Sequence, residues 1–142
     1  MTKVELLERL HRLMSEAHAP FGQAAGLLTP EQAANAIAMP CGETGVIAFI
    51  GEYVLTGWED HDIRAASRDA YRHLGQWLRV HPYTRHMVYP LNFRSVRLTR
   101  KLGAKPIGVD ADGWVHYVLT REDFTAARRS RRSRHGQEIS TA

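Results

Sequence analysis

The chain has 142 residues, a formal net charge of +4 at pH 7 and an ordinary apolar content of 44%. This length suits one globular domain with a hydrophobic core of its own. No apolar run approaches the length of a membrane span, and the first ten residues lack the basic-then-apolar pattern of a secretion signal. The single cysteine, Cys41, cannot form an internal disulfide, which favours a reducing compartment. We therefore expect a cytoplasmic protein that makes no membrane contact.

Residues 125–142 carry the whole of the net charge, because they hold five arginines and one glutamate. They contain few apolar residues and are not expected to fold alone. The predicted organisation is therefore a domain over residues 1–124 and a basic, flexible C-terminal tail over 125–142. Such a tail can be an arm that binds nucleic acid or an acidic protein surface, or it can be a solvated terminus. The arginines available for binding are Arg128, Arg129, Arg131, Arg132 and Arg134.

Two helices and a hairpin are predicted in the first part of the chain. Apolar side chains recur with helical spacing over residues 3–17. A second helix begins after Thr29, because a proline and a capping-box glutamine follow it, and Pro40 is expected to end that helix. The β-rich runs "VIAFI" and "YVLTGW" come next, and the Gly-Glu pair between them fits a two-residue hairpin loop.

A long helix, a strand, a short helix and a second hairpin are predicted after that. Apolar residues recur on one helical face from Ile63 to Leu78, and Asp62 is the expected N-cap. The run "HMVYPL" is predicted to be a buried strand whose pairing stops or splays at its proline. Residues 94–102 are predicted to form a short basic helix, and residues 106–120 a hairpin around an Asp-Gly turn. The histidines show no spacing typical of a metal site.

This order of elements predicts an α/β (α+β) fold with a mixed, mostly antiparallel sheet and about four helices. The strand–helix–strand unit over residues 53–91 should be a right-handed parallel crossover. Asn92 follows this unit, and Ser95, Leu98 and Gly103 come three, six and eleven residues after it. In these residues and in its order of elements, the chain from residue 3 to 124 resembles the GNAT acetyltransferase superfamily. The resemblance implies a splayed parallel strand pair. The sheet is expected to depart from the family by being truncated at its first strand, because that family has a strand before its first helix and only Met1–Lys3 precede the helix here.

By this resemblance, the cofactor is acetyl-CoA, and its pantetheine arm lies between the two parallel strands. Asn92 and Ser95 would contact that arm, and the start of the long helix, at Ile63, Arg64 and Ala65, would hold the pyrophosphate. From the residues alone, Asn92 is equally well explained as the N-cap of the short helix, since asparagine is a preferred cap. The two roles are compatible.

Two positions depart from the family pattern. The phosphate-binding loop of the family falls on "DHDIRA", residues 60–65, which contains no glycine and carries Asp60 and Asp62. Thr99 stands where the family has a tyrosine proton donor. Both departures favour a protein without catalysis, while Asn92 and Ser95 favour an enzyme.

Glu59 and Tyr89 are the candidate catalytic residues. Glu59 follows a predicted strand at the point where a family-like general base would deprotonate an amine through a water molecule, and Tyr89 is a candidate proton donor. Each also has a structural explanation, Glu59 as a surface carboxylate and Tyr89 as a strand residue with a hydrogen-bonded hydroxyl.

Two functions therefore remain open. The first is an acetyl-CoA-dependent N-acyltransferase that acts on an amine. The second is a non-catalytic GNAT-fold protein that binds a protein partner or nucleic acid through its basic tail. The layout is also similar to that of GNAT-like internal virion proteins of short-tailed phages, which would place the protein in a virion.

Overall fold

The computed structural model describes residues 1–23 and 28–141, with side chains described as far as Ser133. The α-helices are α1 (Lys3–His18), α2 (Pro30–Asn35), α3 (Ile63–Val80), α4 (Phe93–Lys101) and α5 (Arg121–Thr141). The strands are β1 (Ile37–Cys41), β2 (Gly45–Ile50), β3 (Tyr53–Gly57), β4 (Tyr83–Val88), β5 (Lys105–Val109) and β6 (Val115–Thr120). Short 3-10 helices cover Ala19–Phe21 and Asp60–Asp62. The chain divides into two compact units, the N-terminal unit (Met1–Trp77) and the C-terminal unit (Leu78–Ala142).

Strand β2 is the centre of the N-terminal unit, and all six of its residues are buried. It pairs antiparallel with β1 on one side and with β3 on the other. Leu6 and Leu10 of α1 belong to the same buried cluster as Val46 of β2. Phe49 stacks on Trp77 of α3, with the ring centroids 4.1 Å apart. Helices α1 and α3 thus both bury β2 side chains, which explains why this strand is a continuous apolar run and does not alternate with polar residues.

The second helix is shorter than the sequence predicts. Helix α2 ends at Asn35 because Ala36 takes an extended conformation, with ψ at 142°. The expectation that this helix continues to Pro40 is wrong, since Ile37–Cys41 forms β1 and pairs with β2 along its whole length. Pairing with a fully buried strand outweighs the local helix preference of the alanines and the methionine. The capping box at Thr29 is confirmed by its two reciprocal hydrogen bonds.

Strand β6 is the centre of the C-terminal unit and pairs antiparallel with β4 and β5. Its buried residues Tyr117 and Leu119 lie opposite His86 and Thr84 of β4, which are also buried. The hydroxyl oxygen of Thr84 is 2.9 Å from Nε2 of His86. Burial lowers the pKa of His86 to about 4. The imidazole is therefore neutral at pH 7 and forms part of the core.

The second predicted hairpin is confirmed and consists of β5 and β6. Its turn is closed by a backbone hydrogen bond from Asp110 to the carbonyl of Trp114. All residues of β5 are exposed. The register shifts between Pro106 and Gly108, so Ile107 is an extra residue in a β-bulge.

The six strands form one mixed sheet in the order β1-β2-β3-β4-β6-β5. Four neighbouring pairs are antiparallel, and β3 with β4 is the one parallel pair. The predicted fold class and its parallel crossover are confirmed. Strand β4 ends at Val88, so pairing stops before Pro90, as its missing N–H predicts. Divergence of the two parallel strands stays a prediction.

Helix α4 begins at Phe93 and buries Thr99, the residue at the family's tyrosine position. Residues 125–141, predicted as a flexible tail, belong to α5. Phe124 anchors this helix, because its side chain is buried. The five helices thus exceed the predicted four by α5, and the domain boundary at residue 124 stays a prediction. None of the described helices is both long and apolar enough to cross a membrane.

Candidate functional site

The turn between β1 and β2 lies against the start of α3. The carboxylate of Asp62 accepts hydrogen bonds from the backbone N–H groups of Glu43 (2.9 Å) and Thr44 (2.8 Å) and from the Thr44 hydroxyl (2.9 Å). The hydrogen bonds from Thr44 are the main reason why the pKa of Asp62 is below its ordinary value. Asp62 was expected to be the N-cap of α3, and this expectation is wrong. It is the last residue of the preceding 3-10 helix, and its carboxylate holds the turn.

Gly42 allows this close approach. Its φ is +58°, and a Cβ atom there would lie 2.6 Å from Oδ2 of Asp62 and 2.9 Å from the backbone nitrogen of Ala66. Its N–H donates to Oδ2 of Asp69 at 2.8 Å. The neighbouring Cys41 is fully buried, and burial raises the pKa of its thiol to about 12. A thiol with such a pKa is not a nucleophile at neutral pH, so Cys41 is a core residue.

The residues predicted to hold a pyrophosphate lie at the start of α3, in the N-terminal unit. Ile63 is half-buried, while Arg64 and Ala65 are exposed. The 3-10 helix that leads into α3 has Glu59 as its N-cap residue, with no capping hydrogen bond from the Glu59 side chain. The carboxylate of Asp62 is held against the β1–β2 turn and stays ionised, so its negative charge still opposes an anion here. The role of these three residues in binding a phosphate stays a prediction.

Glu59, the candidate general base, is tied to two other elements of the same unit. Nη1 of Arg12 in α1 lies 3.2 Å from Oε1 of Glu59, and the backbone N–H of Glu59 donates to Oγ1 of Thr44 at 3.0 Å. Hydrogen bonds to Glu59 and then to Glu16 raise the pKa of Arg12 above its ordinary value. The Glu59 side chain is 36% exposed, so solvent reaches it despite the ion pair. Its position is fixed, and its catalytic role stays a prediction.

Asn92 and Ser95 come together in the C-terminal unit as a helix cap. The backbone N–H of Ser95 donates to Oδ1 of Asn92 at 3.3 Å, so the expected role of Asn92 as the N-cap of α4 is confirmed. The backbone N–H of Asn92 donates to the carbonyl of Tyr89 at 2.9 Å, which forms the turn that leads from β4 into α4. Contact of either side chain with pantetheine stays a prediction.

Tyr89 and a histidine–aspartate pair occupy the C-terminal unit. The ring of Tyr89 meets Trp114 edge-on, with the centroids 5.4 Å apart. Nε2 of His116 lies 3.0 Å from Oδ2 of Asp110. This hydrogen bond, with two more from the backbone of the turn, holds the pKa of Asp110 below its ordinary value. The carboxylate of Asp110 thus orients the imidazole of His116.

Sequence reasoning missed the pairing of Asp110 with His116 and the role of Asp62. The first had a usable signal, because Asp110 and His116 lie on either side of an Asp-Gly hairpin turn, which brings their strands together. The second had none, because the donors of the β1–β2 turn are defined only once residues 37–41 are known to be a strand. In the described part of the chain, no group of three or more His, Cys, Asp or Glu side chains could hold a metal ion.

The chain matches no family model and no curated protein sequence. Among solved structures, it is similar to a protein described as "Crystal structure of putative acetyltransferase", with a TM-score of 0.58 and 19% sequence identity. The likeness covers 87% of this chain and 82% of that one. At this identity the likeness concerns the fold, and the resemblance to virion proteins of phages stays a prediction. The protein therefore has a GNAT-like fold.

Proposed function

We propose that the protein is an acyl-CoA-dependent N-acyltransferase that transfers an acetyl group to an amine. The observation that carries the proposal is the GNAT-like fold, shared with the acetyltransferase-like structure over 87% of the chain. A fold hosts more than one function, so the proposal also depends on what the residues at the predicted positions can do.

The residues present fit a CoA thioester at two places. At the start of α3, Arg64 is exposed and is the cation that a phosphate would meet, beside the carboxylates of Asp60 and Asp62. At the start of α4, the Asn92 side chain accepts the Ser95 N–H through Oδ1, and its amide NH₂ is the group that would donate to a pantetheine carbonyl. When bound, the thioester supplies the activated acetyl group.

The protein's own task is to manage protons, because an amine is nucleophilic only after it loses the proton of its ammonium form. Glu59 is positioned by Arg12 and Thr44 and is partly exposed, so it can accept that proton directly or through water. His116 is a second acceptor, oriented by Asp110. Tyr89 carries a hydroxyl that can return a proton to a leaving thiolate.

Asn92→Ser separates cofactor binding from folding. Serine is as good an N-cap as asparagine, but it removes the amide NH₂. We expect the Tm of the free variant to stay unchanged and its affinity for acetyl-CoA to fall about fivefold, since a lost hydrogen bond contributes roughly 1 kcal/mol. Calorimetric titration beside thermal melts measures both quantities. At a hundred times the Kd, acetyl-CoA should stabilise the natural protein by about 2.7 kcal/mol.

Activity is then measured as release of the CoA thiol in the presence of a panel of amines. Glu59→Gln should lower kcat strongly if Glu59 is the base, and His116→Gln should do so if the histidine is. Glu52→Gln, at an exposed hairpin turn, serves as the matched carboxylate control. Absence of any stabilisation by acetyl-CoA would overturn the proposal and leave a non-catalytic GNAT-fold protein.

A further inference from the structure

An aromatic ring and two arginines share the exposed side of α4. Phe93 is 71% exposed, a large value for a phenylalanine. Arg97 and Arg100 follow it four and seven residues later, which places the three on one face of the helix. The opposite face is the one that buries Thr99. The exposed ring has no part in the core of the unit and lies beside cations, an arrangement that would suit contact with an aromatic anion.

Helix α5 adds further arginines to the same region. Its inner face is held beside the C-terminal end of α4, because a Cβ atom on Gly103 would lie 3.1 Å from Cβ of Ala127, and Arg131 donates a hydrogen bond to the carbonyl of Lys101. Three exposed arginines of α5 lie outside this packed face, from about 80° to about 180° round the helix from its centre at 100° per residue. They are Arg128, Arg129 and Arg132.

These cations are not neutralised by the part of the unit whose side chains are described. Arg97, Arg100 and Arg129 make no side-chain hydrogen bond or ion pair with any described residue. Two acidic side chains of the unit are engaged elsewhere, Asp110 with His116 at 3.0 Å and Asp123 with Lys105 at 3.4 Å, while the exposed Glu122 lies near Arg129 without forming an ion pair with it. Like charges held close together repel each other, so the surface gains most from a polyanion that spans both helices.

We propose that α4 and α5 form a binding surface for single-stranded nucleic acid. The exposed arginines contact successive phosphates, which guanidinium groups bind with two parallel hydrogen bonds. Phe93 stacks on an unpaired base, a contact that needs no particular sequence. The bases of a duplex are stacked and inaccessible, so a duplex would contact the arginines but not the ring of Phe93. The proposal is independent of acyl transfer.

The test is the fluorescence anisotropy of labelled oligonucleotides of about 20 nucleotides, as oligo-dT, as oligo-rU and as a duplex, titrated with the full-length protein. Phe93→Leu keeps an apolar side chain but removes the ring. We expect it to weaken single-strand binding about tenfold, to leave the salt dependence unchanged and to have no effect on duplex binding. Equal losses for oligo-dT and oligo-rU would indicate that the sugar is not read.

Arg97→Gln combined with Arg129→Gln tests the phosphate contacts. The slope of log K against log salt should become shallower by about 1.4, since each phosphate contact contributes roughly 0.7 for a single strand. Arg68→Gln is the matched control, because Arg68 is an exposed arginine of α3 in the N-terminal unit, and it should change nothing.

Three outcomes would overturn the proposal. They are absence of binding at low salt, duplex binding as tight as single-strand binding, and unchanged single-strand affinity in Phe93→Leu. In the last case, with the arginine effects retained, the surface would be a general polyanion site, and competition by an acidic peptide would then be expected.

Discussion

The two units of the chain differ in how they use charge. The N-terminal unit has six Lys and Arg against ten Asp and Glu, a net charge of −4, and the C-terminal unit has 13 against five, a net charge of +8. In the N-terminal unit, Asp62, Asp69 and Glu59 all bind donors of their own unit. In the C-terminal unit, Arg97, Arg100 and Arg129 have no such partner among the described residues.

The three carboxylates of the N-terminal unit therefore stabilise its fold, whereas the three arginines of the C-terminal unit remain available to bind another molecule. Asp62 and Asp69 accept hydrogen bonds from backbone N–H groups of the β1–β2 turn, which need acceptors, and Glu59 pairs with Arg12. Arg97, Arg100 and Arg129 of the C-terminal unit lie exposed on helices α4 and α5, where no described residue binds them. The net charge of +4 for the whole chain does not show this difference, because it is the sum of the charges of the two units.

The largest expected effect tests whether the two units, which differ in charge, nevertheless hold a helix in place by the same kind of close contact at a glycine. Gly42 and Gly103 both have positive φ, and a Cβ atom at either would lie 2.6 Å from an oxygen, Oδ2 of Asp62 or the carbonyl of Asp123. We expect Gly42→Ala and Gly103→Ala each to cost about 4 kcal/mol of unfolding free energy, from backbone strain and overpacking together. Urea denaturation measures this.

Gly51→Ala and Gly113→Ala are the matched controls. Both glycines also have positive φ, but nothing lies within 4 Å of the added Cβ, so each change should cost only about 1 kcal/mol. Equal losses in all four variants would mean that neither close contact fixes its helix.

The next effect concerns the neutral core histidine of the C-terminal unit. His86 has a pKa of about 4 in the folded protein against an ordinary value of 6.5. Between these values the unfolded chain binds more protons than the folded one, so stability is retained above pH 6.5 and falls as the pH drops towards 4. The full loss is about 3 kcal/mol, because one pKa unit corresponds to roughly 1.4 kcal/mol.

Urea denaturation at pH 7, 6, 5 and 4 measures this loss, with His86→Met as the variant that cannot be protonated. The variant should be less stable at pH 7, because Thr84 loses its partner, but its stability should fall less between pH 7 and 4. Parallel curves for the two proteins would contradict the burial of a neutral imidazole.

The smallest effect compares one arginine from each unit. Arg72 pairs with Asp69 at 3.2 Å, whereas Arg129 lies among other arginines. Arg72→Gln should therefore lower the unfolding free energy by about 0.5 kcal/mol, the usual range for a surface ion pair. Arg129→Gln should raise it by about 0.3 kcal/mol, because it relieves repulsion. Both effects should shrink in 1 M salt, and effects of the same sign would contradict the comparison.

Regular elements with strong local signals could be predicted from the sequence. The apolar run of β2, the face of α3 and the Asp-Gly turn before β6 each specify their structure locally, and together they led to the correct fold class. Strand β1 could not be predicted, because Ala38, Met39 and the alanines just before the strand favour a helix locally, and only pairing with β2 makes it extended. Helix α5 was missed because its arginine-rich sequence lacks an apolar stripe, and a few contacts around Phe124 and Ala127 anchor it.

The candidate site was harder to predict than the fold. The cap formed by Asn92 has a local signature, and it is present. The partners of Asp62 and Glu59 come from elements 15 to 47 residues away in the chain, which no spacing rule connects. Long-range hydrogen bonds of this kind depend on the register of the sheet, and the register depends on β1.

The two strands at the ends of the sheet, β1 and β5, each contain a proline within the paired region, Pro40 and Pro106. Each outer strand therefore has one position without an N–H donor, and β5 has a bulge as well. Another strand that approached either edge would meet an interrupted ladder of hydrogen bonds. The sheet is consequently protected at both ends against edge-to-edge aggregation. The residues that protect it are the two prolines, a residue type that strand propensity disfavours.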